Sequence, residues 1–410
     1  MECEIVIKKT FKYIIKWLLL GLLMGAVCGS IGALFTKVIS FVTNLRMNNS
    51  FMVFLLPVGA VATIFLYRLL NTEKISTDAV IESLLTGKGV SPRIIPAIFT
   101  ATVISQAFGA SSGKEGAALQ LGGGFAGIFK KVFGLNENEG KILTACGMGA
   151  LFAALFGTPV GTCVFALEVA VVGRLFLSAI FPTLVSSLSA VFVARLLGEY
   201  GERFSVYNIP SYTVINFLKV ALIALAGMIV CGCFCYLLSF AEKYLPKIIK
   251  NPYFRILSGA VVLIALTLLT KSTDYNGTGA HIIHRIMNGG QVDSFAFLIK
   301  ILFTVISVSC GFKGGEIVPT FCIGACLGFT LSSVLGVDGV FAAAVGMLSL
   351  FCCATKCPLA TLIIGMEMFG YKGAVFYFIA VMVSFMPFVK GLYKSQIIDF
   401  SFRKYYHSNR

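Results

Sequence analysis

Apolar runs dominate the chain, and their lengths are uneven. They fall roughly at residues 12–46, 51–70, 94–108, 116–132, 140–156, 161–175, 177–197, 213–241, 254–270, 294–310, 317–335, 339–354, 358–369 and 374–390. A helix crossing a bilayer core about 30 Å thick needs about 20 residues. Several runs are shorter, and Gly, Pro or charged turns break many of them. Short interrupted membrane helices predict a protein that builds an ion site at mid-membrane from helix ends. The expected fold class is therefore an all-α polytopic membrane protein with many tilted, broken helices. Its first element should be a short amphipathic helix bearing Lys8, Lys9, Lys12 and Lys16, leading into a long span over about 12–46. No small-residue cleavage site follows, so this is not a removable signal.

The one substantial polar connector, Leu197–Ser211, holds Glu199, Glu202 and Arg203 and divides the chain almost in half. The halves resemble each other. Gly147-Met148-Gly149, Thr158-Pro159-Val160 and Leu167-Glu168-Val169 align without a gap on Gly346-Met347-Leu348, Cys357-Pro358-Leu359 and Met366-Glu367-Met368. Upstream, Gly113-Lys114-Glu115-Gly116 aligns on Gly314-Gly315-Glu316-Ile317 with a two-residue change in spacing. A tandem duplication follows, with a first membrane half at 1–198, a linker at 199–212 and a second half at 213–410. No segment reads as a soluble regulatory domain. If each half crosses an odd number of times, the repeats are inverted and matching helix ends meet at mid-membrane.

Composition narrows the function. Of 410 residues, 58% are hydrophobic and 12% charged, about half the charge of an average soluble domain. The formal charge of +15 lies between apolar runs, so it reads as positive-inside anchoring against lipid rather than as nucleic-acid binding. Basic ends, including Lys390, Lys394, Arg403, Lys404 and Arg410, place both termini in the cytoplasm and make the number of full crossings even. The 13 Cys and three His (His281, His284, His407) form no metal-ligand pattern, and the Cys read as small buried apolar residues. Neither a P-loop nor a nucleophilic triad is present. An enzyme, an ATP-driven pump, a metal and a cofactor are all unexpected.

The chemistry lies in two turns. Gly109 to Gly113 precede Lys114-Glu115-Gly116-Ala117-Ala118-Leu119-Gln120, a Gly/Ser-rich turn before a long apolar helix. Free N–H groups and the positive dipole end at such a start can hold an anion. A carboxylate at that place competes with the anion when ionised and vacates when protonated, which makes Glu115 a gate and a proton carrier in one group; the alternative is a plain helix cap. An intramembrane carboxylate is costly, and by default a functional candidate. The second turn, Gly311 to Thr320, repeats the arrangement with Glu316 and a tolerated first-turn Pro319. Its Glu too has a plain cap as its alternative. Standing at equivalent ends of two repeats, the two carboxylates could meet across the pseudo-twofold axis, and would be coupled if they did. Glu168 and Glu367, which end the Pro-to-Glu helices, read as packing and polar contacts near the membrane surface. Tyr393, after the last span, is either an anion donor or an interface anchor.

These residues resemble the CLC family of chloride channels and anion/proton antiporters over nearly the whole chain. Gly113 to Ala117 resembles the family box Gly-Lys/Arg-Glu-Gly-Pro, with Ala117 in place of Pro. Gly314 to Pro319 matches Gly-Gly-x-x-x-Pro. Pro159 to Glu168, Pro358 to Glu367 and Tyr393 match the remaining landmarks. Ile75-Ser76-Thr77-Asp78-Ala79 stands where the family's Gly-Ser-Gly-Ile-Pro offers a serine to the central ion, so either Ser76 or Thr77 takes that place. Val169 stands where chloride/proton antiporters have an inner proton-transfer glutamate. Glu316-Ile317 replaces an apolar pair, which resembles the bacterial fluoride/proton antiporter clade.

The resemblance implies a CLC-type inverted repeat in a homodimer, with one pathway per subunit, in the cytoplasmic membrane. It implies fluoride, with chloride as the alternative, exchanged for protons. Glu115 and Glu316 would be the gating and proton-coupling carboxylates. Ser76 or Thr77, Gly113, Lys114, Gly116, Ala117, Gly315, Ile317, Val318 and Tyr393 would bind the anion.

Overall fold

The computed structural model describes residues 2–73 and 75–398, with side chains from residue 11 onward. Sixteen α-helices make up about three quarters of the described chain. In the first half they are α1 (Glu2–Asn48), α2 (Leu56–Leu69), α3 (Thr77–Thr86), α4 (Ile94–Phe108), α5 (Glu115–Val132), α6 (Glu137–Phe156), α7 (Pro159–Glu168) and α8 (Ile180–Leu196). In the second they are α9 (Val214–Ile248), α10 (Pro252–Thr270), α11 (Ala280–Met287), α12 (Ala296–Cys310), α13 (Ile317–Leu335), α14 (Gly339–Thr355), α15 (Pro358–Phe369) and α16 (Ala374–Ser384). Seven helical stretches are long and apolar enough to cross a membrane, and six apolar helices of 10–17 residues are not.

Local chemistry sets the boundaries. Pro opens α7, α10 and α15 at the first position, where its missing N–H costs nothing. Gly87, Gly109, Gly157, Gly311 and Gly336 end helices in the left-handed conformation. A capping box between Asn136 and Glu139 starts α6.

Several expected boundaries shift. The predicted short helix and first span are one continuous α1, because no Gly or Pro interrupts residues 2–20. The run expected over 161–175 stops at Glu168, and that expected over 374–390 stops at Ser384, just before Pro387. α9 runs past 241 into the polar segment to Ile248. Two short helices, α3 and α11, lie where no apolar run marks them. The basic residues Arg403, Lys404 and Arg410, like His407, fall outside the described residues.

Burial runs opposite to that of a soluble core. α6 is buried through most of its apolar length, whereas α2, α9 and α10 present large apolar side chains such as Phe65, Leu218, Phe254 and Leu269 outward. An apolar solvent is what such a surface requires. At the centre, α5 crosses α6 and α13 crosses α14 at backbone contact. A Cβ on Gly122 would lie 2.2 Å from the Gly147 carbonyl oxygen, and one on Gly346 would lie 2.2 Å from that of Gly324. Small residues at crossings are how membrane helices pack without a hydrophobic driving force. The same crossing thus occurs once in each half of the chain. The Tyr13 hydroxyl donates to the Ser178 carbonyl at 3.3 Å, and Ile397–Ile398 pair with Val171–Val172. The two ends of the described chain therefore lie on one face, whereas Asn44 and Met47, at the far end of α1, line a cavity on the other.

Candidate functional site

The two Gly-rich turns meet. Gly315 N–H donates to the Gly113 carbonyl at 2.7 Å, Gly113 N–H donates back to the Gly315 carbonyl, and the two residues form an antiparallel bridge. A Cβ on Gly315 would lie 2.2 Å from Gly116 N, so only glycine permits the contact. The starts of α5 and α13 consequently lie side by side. Each helix start leaves four N–H groups without intrahelical partners, and those at Gly116, Ala117, Ile317 and Val318 belong to these two first turns. The adjoining loop is braced from behind. Ser111 N–H donates to Ser307 Oγ at 2.8 Å, the Ser111 and Thr304 hydroxyls are 2.9 Å apart, and Asn276 Nδ2 donates to the Gly109 carbonyl at 3.0 Å. Lys300, fully buried, donates to the carbonyls of Tyr275 and Gly277 at 3.0 and 2.7 Å.

The two carboxylates do not meet, which corrects the sequence expectation. Glu115, the first residue of α5, is 1% exposed and faces a cavity of about 420 Å³ together with Lys114, Glu202, His281 and His284. Glu316 is the residue before α13 and has Glu242, Asp78 and Lys313 as its charged neighbours. The bridge joins backbones, and the side chains that follow it lie in separate surroundings. Glu316, the residue before α13, makes no side-chain cap bond to that helix, and Glu115 Oε2 makes no hydrogen bond among the described residues.

Toward the face that holds the chain ends, Ser76 is the residue before α3 and Thr77 is its first. The Thr77 hydroxyl accepts from Gln120 Nε2 at 3.2 Å. Gln120 lies on α5 beyond Glu115, and its Oε1 is buried without a partner. Tyr393 is 8% exposed, its hydroxyl is also without a partner among the described residues, and Glu316 and Asp78 are its charged neighbours. The segment carrying it is strapped down on both sides. Leu392 N–H donates to Ala354 O at 2.8 Å, Ser395 N–H to Asp78 Oδ1 at 2.9 Å, and Gln396 Nε2 to the carbonyls of Val169 and Thr355 at 2.8 and 2.7 Å. Of the predicted anion-binding residues, Lys114 and Val318 line the Glu115 cavity.

Glu168 and Glu367 do something more specific than surface packing. Glu168, at the end of α7, accepts from Leu359 and Ala360 N–H at 3.2 and 2.9 Å. Glu367, near the end of α15, accepts from Val160 and Gly161 N–H at 3.2 and 2.8 Å. Each carboxylate caps the start of the opposite repeat's helix.

Sequence reading missed the wall of the Glu115 cavity. Glu202 N–H donates to Phe156 O at 3.0 Å and Phe204 N–H to Met368 O at 2.9 Å, which draws the inter-repeat linker across the mouth. There Glu202 Oε2 lies 3.0 Å from His284 Nε2. Burial pushes the Glu202 carboxyl up, but the hydrogen bond to His284 and the charges of Lys114 and His284 outweigh it, and the net shift is down. The same hydrogen bond raises the imidazole of His284 against its partial burial. The clue available in the sequence was a Glu in the linker and a His on an amphipathic octapeptide, and nothing in their spacing joins them.

The chain matches the family described as voltage gated chloride channel over residues 58–387. A "Chloride/fluoride channel protein" of Pseudomonas syringae pv. tomato is 32% identical over 405 residues, covering 95% of this chain and 88% of its own. A crystal structure of a CLC-type fluoride/proton antiporter superposes with a TM-score of 0.89 at 30% identity, covering 94% of this chain and 98% of that one. A slow cyanobacterial Cl−/H+ antiporter shares the fold at a TM-score of 0.79 and 17% identity, covering 96% and 99%. On the paired Gly-Glu turns, the crossed repeats and these matches, the chain belongs to the CLC family of multi-pass membrane channels and transporters.

Proposed function

We propose that the chain is a secondary transporter that exports fluoride in exchange for protons entering across the cytoplasmic membrane. The observation that carries this reading is that Glu316, just before α13, is a charged neighbour of the strapped-down Tyr393, whose hydroxyl has no hydrogen-bond partner among the described residues. Fluoride is small and strongly hydrated, so a dry site must replace its water with strong donors. A phenol, a protonated carboxyl and first-turn amides are such donors, and leaving any of them unpaired is costly, which sharpens selection. The 30%-identical structure is described as a fluoride/proton antiporter, which supports this reading, and the Pseudomonas relative, named a chloride/fluoride channel protein, supports the choice of ions but not the coupling.

In this scheme Glu115 alternates between an ionised state lying over the α5 amides and a protonated state displaced into the cavity. When it leaves, the anion takes its place beside Gly113, Gly116 and Ala117. Ile317 and Val318 supply the amides of the other turn, Gly315 keeps the two turns in contact, and Lys114 holds positive charge at the entrance. Ser76 or Thr77 and Tyr393 complete the far side, with Glu316 as the second protonation point. The protein works as a homodimer in the lipid bilayer of the cytoplasmic membrane. Its halves are 1–198 and 213–410, with 199–212 as linker and both termini cytoplasmic.

Val169 favours a second reading, a passive CLC-type chloride channel, over the chloride/proton exchanger that is the other alternative. Its side chain is apolar and its carbonyl accepts from Gln396, so that position offers no proton carrier. Proteoliposomes with simultaneous fluoride, chloride and proton recording separate the two. Fluoride efflux coupled to proton uptake, with little chloride flux, is expected. Equal fluoride and chloride flux, or fluoride flux without protons, sinks the proposal.

A further inference from the structure

We infer that Glu202 and His284 form a proton-collecting pair that supplies Glu115 through the cavity they share. This rests on the proton-coupled reading above and extends it to residues outside the two Gly-Glu turns. Three observations bear on it. First, Glu115, Glu202 and His284 all line one cavity of about 420 Å³, together with Lys114 and His281. Much of its wall is apolar, but these ionisable groups share it, and a space of that size has room for water that bridges them. Second, the pair is placed by structure rather than by chance. The linker backbone is pinned at Glu202 and Phe204, and the Phe204 ring lies 5.2 Å from the imidazole. Third, the imidazole keeps one side open, with His284 50% exposed at the mouth and Glu202 28% exposed. Proton entry needs this exposure, which a purely structural pair does not.

The surrounding charges are few. His281, one turn back on α11, lies 3.3 Å from Asp274 Oδ1, and Arg285 Nη1 holds Asp274 Oδ2 at 2.7 Å, so these three groups engage one another. Lys114 faces Glu202 and His284 from the start of α5. The helices packed against α11, namely α13 and α14, carry no acidic or basic residue.

The step is a simple transfer. The imidazolium of His284 loses one N–H proton to cavity water, the ionised Glu115 gains an O–H, and the neutral imidazole is reprotonated from solvent. Glu202 keeps the imidazolium form available near neutral pH, where an isolated histidine is mostly uncharged. Glu202 and His284 are thus positioning and relay residues, while Glu115 remains the group that meets the anion.

The test uses the full-length protein in proteoliposomes, with lumen and bath held at one pH between 6 and 9. Fluoride efflux and proton uptake are recorded together. In wild type, coupled flux should fall on the alkaline side as His284 loses its proton. In Glu202→Gln that fall should move toward acid by roughly one pH unit, and Glu202→Asp should restore it. In His284→Ala, coupled flux at pH 7.5 should drop at least several-fold, and imidazole in the bath should recover it. Profiles that superimpose on wild type in both variants, or a slowed His284→Ala that imidazole does not rescue, overturn the relay. If His284→Ala does not fold, His284→Gln is read in the same way, and a Glu202→Gln profile unshifted in a protein of wild-type melting temperature suffices to reject. Wild-type protein that moves fluoride without protons fails the transport reading itself, a result distinct from any of these.

Discussion

Four glutamates stand at helix ends in matching places of the two repeats, and they divide by whether their valences are filled. Glu168 and Glu367 each accept two backbone N–H groups from the opposite repeat, at 2.8–3.2 Å. Glu316, just before α13, makes no side-chain cap bond to that helix, and Glu115 Oε2, at the first residue of α5, has no hydrogen-bond partner among the described residues. The same residue type, at equally apolar addresses, is a brace in one pair and a reactive group in the other. A filled carboxylate holds one position because leaving would strand two buried N–H groups. An unfilled one is free to exchange places with an anion. A buried charge is therefore a functional marker only after its hydrogen bonds are counted.

The sharpest way to break this comparison is at Glu115. Glu115→Gln should leave anion flux and reduce protons moved per anion by roughly 100-fold, the scale of losing a positioned acid–base group. Dual fluoride and proton recording checks it, and retained coupling would show that the gate lies elsewhere. Glu316→Ala should follow with roughly a tenfold fall in coupled fluoride flux, worth about 1.4 kcal/mol; under the chloride-channel reading the same substitution barely matters.

The filled pair should answer in stability instead. Glu168→Ala should cost about 1–3 kcal/mol, and Glu367→Ala less, because Glu168 is 4% exposed and Glu367 only half-buried. Thermal unfolding of purified protein measures this, and the folded fraction should keep its stoichiometry. A changed proton ratio in Glu168→Ala would erase the distinction between the pairs. Tyr393→Phe sharpens it from the other side, because the hydroxyl has no partner to lose. Its stability should change by under ~0.5 kcal/mol while fluoride flux falls several-fold.

The smallest effect concerns the linker. His284 is raised by its bond to Glu202, so its contribution to linker docking is complete below the unfolded histidine value, about 6.5, and is lost as pH rises through the raised one. Glu202 is lowered overall, so its contribution holds above about 4.3 and is lost as pH falls through the lowered value. Hydrogen exchange at Glu202 and Phe204 amides should be slowest at intermediate pH, after correction for intrinsic rates, and a flat profile would show that backbone contacts alone pin the linker.

Much of this protein is legible in one dimension. Apolar runs, Pro starts and Gly ends are local signals, and they marked most helices and both Gly-Glu turns. The duplication was visible because Gly-Met, Pro and Glu keep their intervals at 147–168 and 346–367. Continuous α1 and short α3 and α11 were missed because hydropathy cannot separate an amphipathic lead-in from the span it joins, nor see a helix shorter than an apolar window.

What the sequence determined by itself was the inventory: a membrane protein, two repeats, and carboxylates at helix starts inside apolar segments, since composition and spacing are properties of the chain. Tertiary structure alone decided which carboxylates are capped and which are open, that Glu115 and Glu316 occupy different surroundings across a Gly113–Gly315 bridge, and that a polar linker closes over the Glu115 cavity to bring Glu202 to His284. The reason is physical. A hydrogen bond or an ion pair depends on distances of about 3 Å between groups far apart in sequence, and only packing of the helices that carry them fixes those distances.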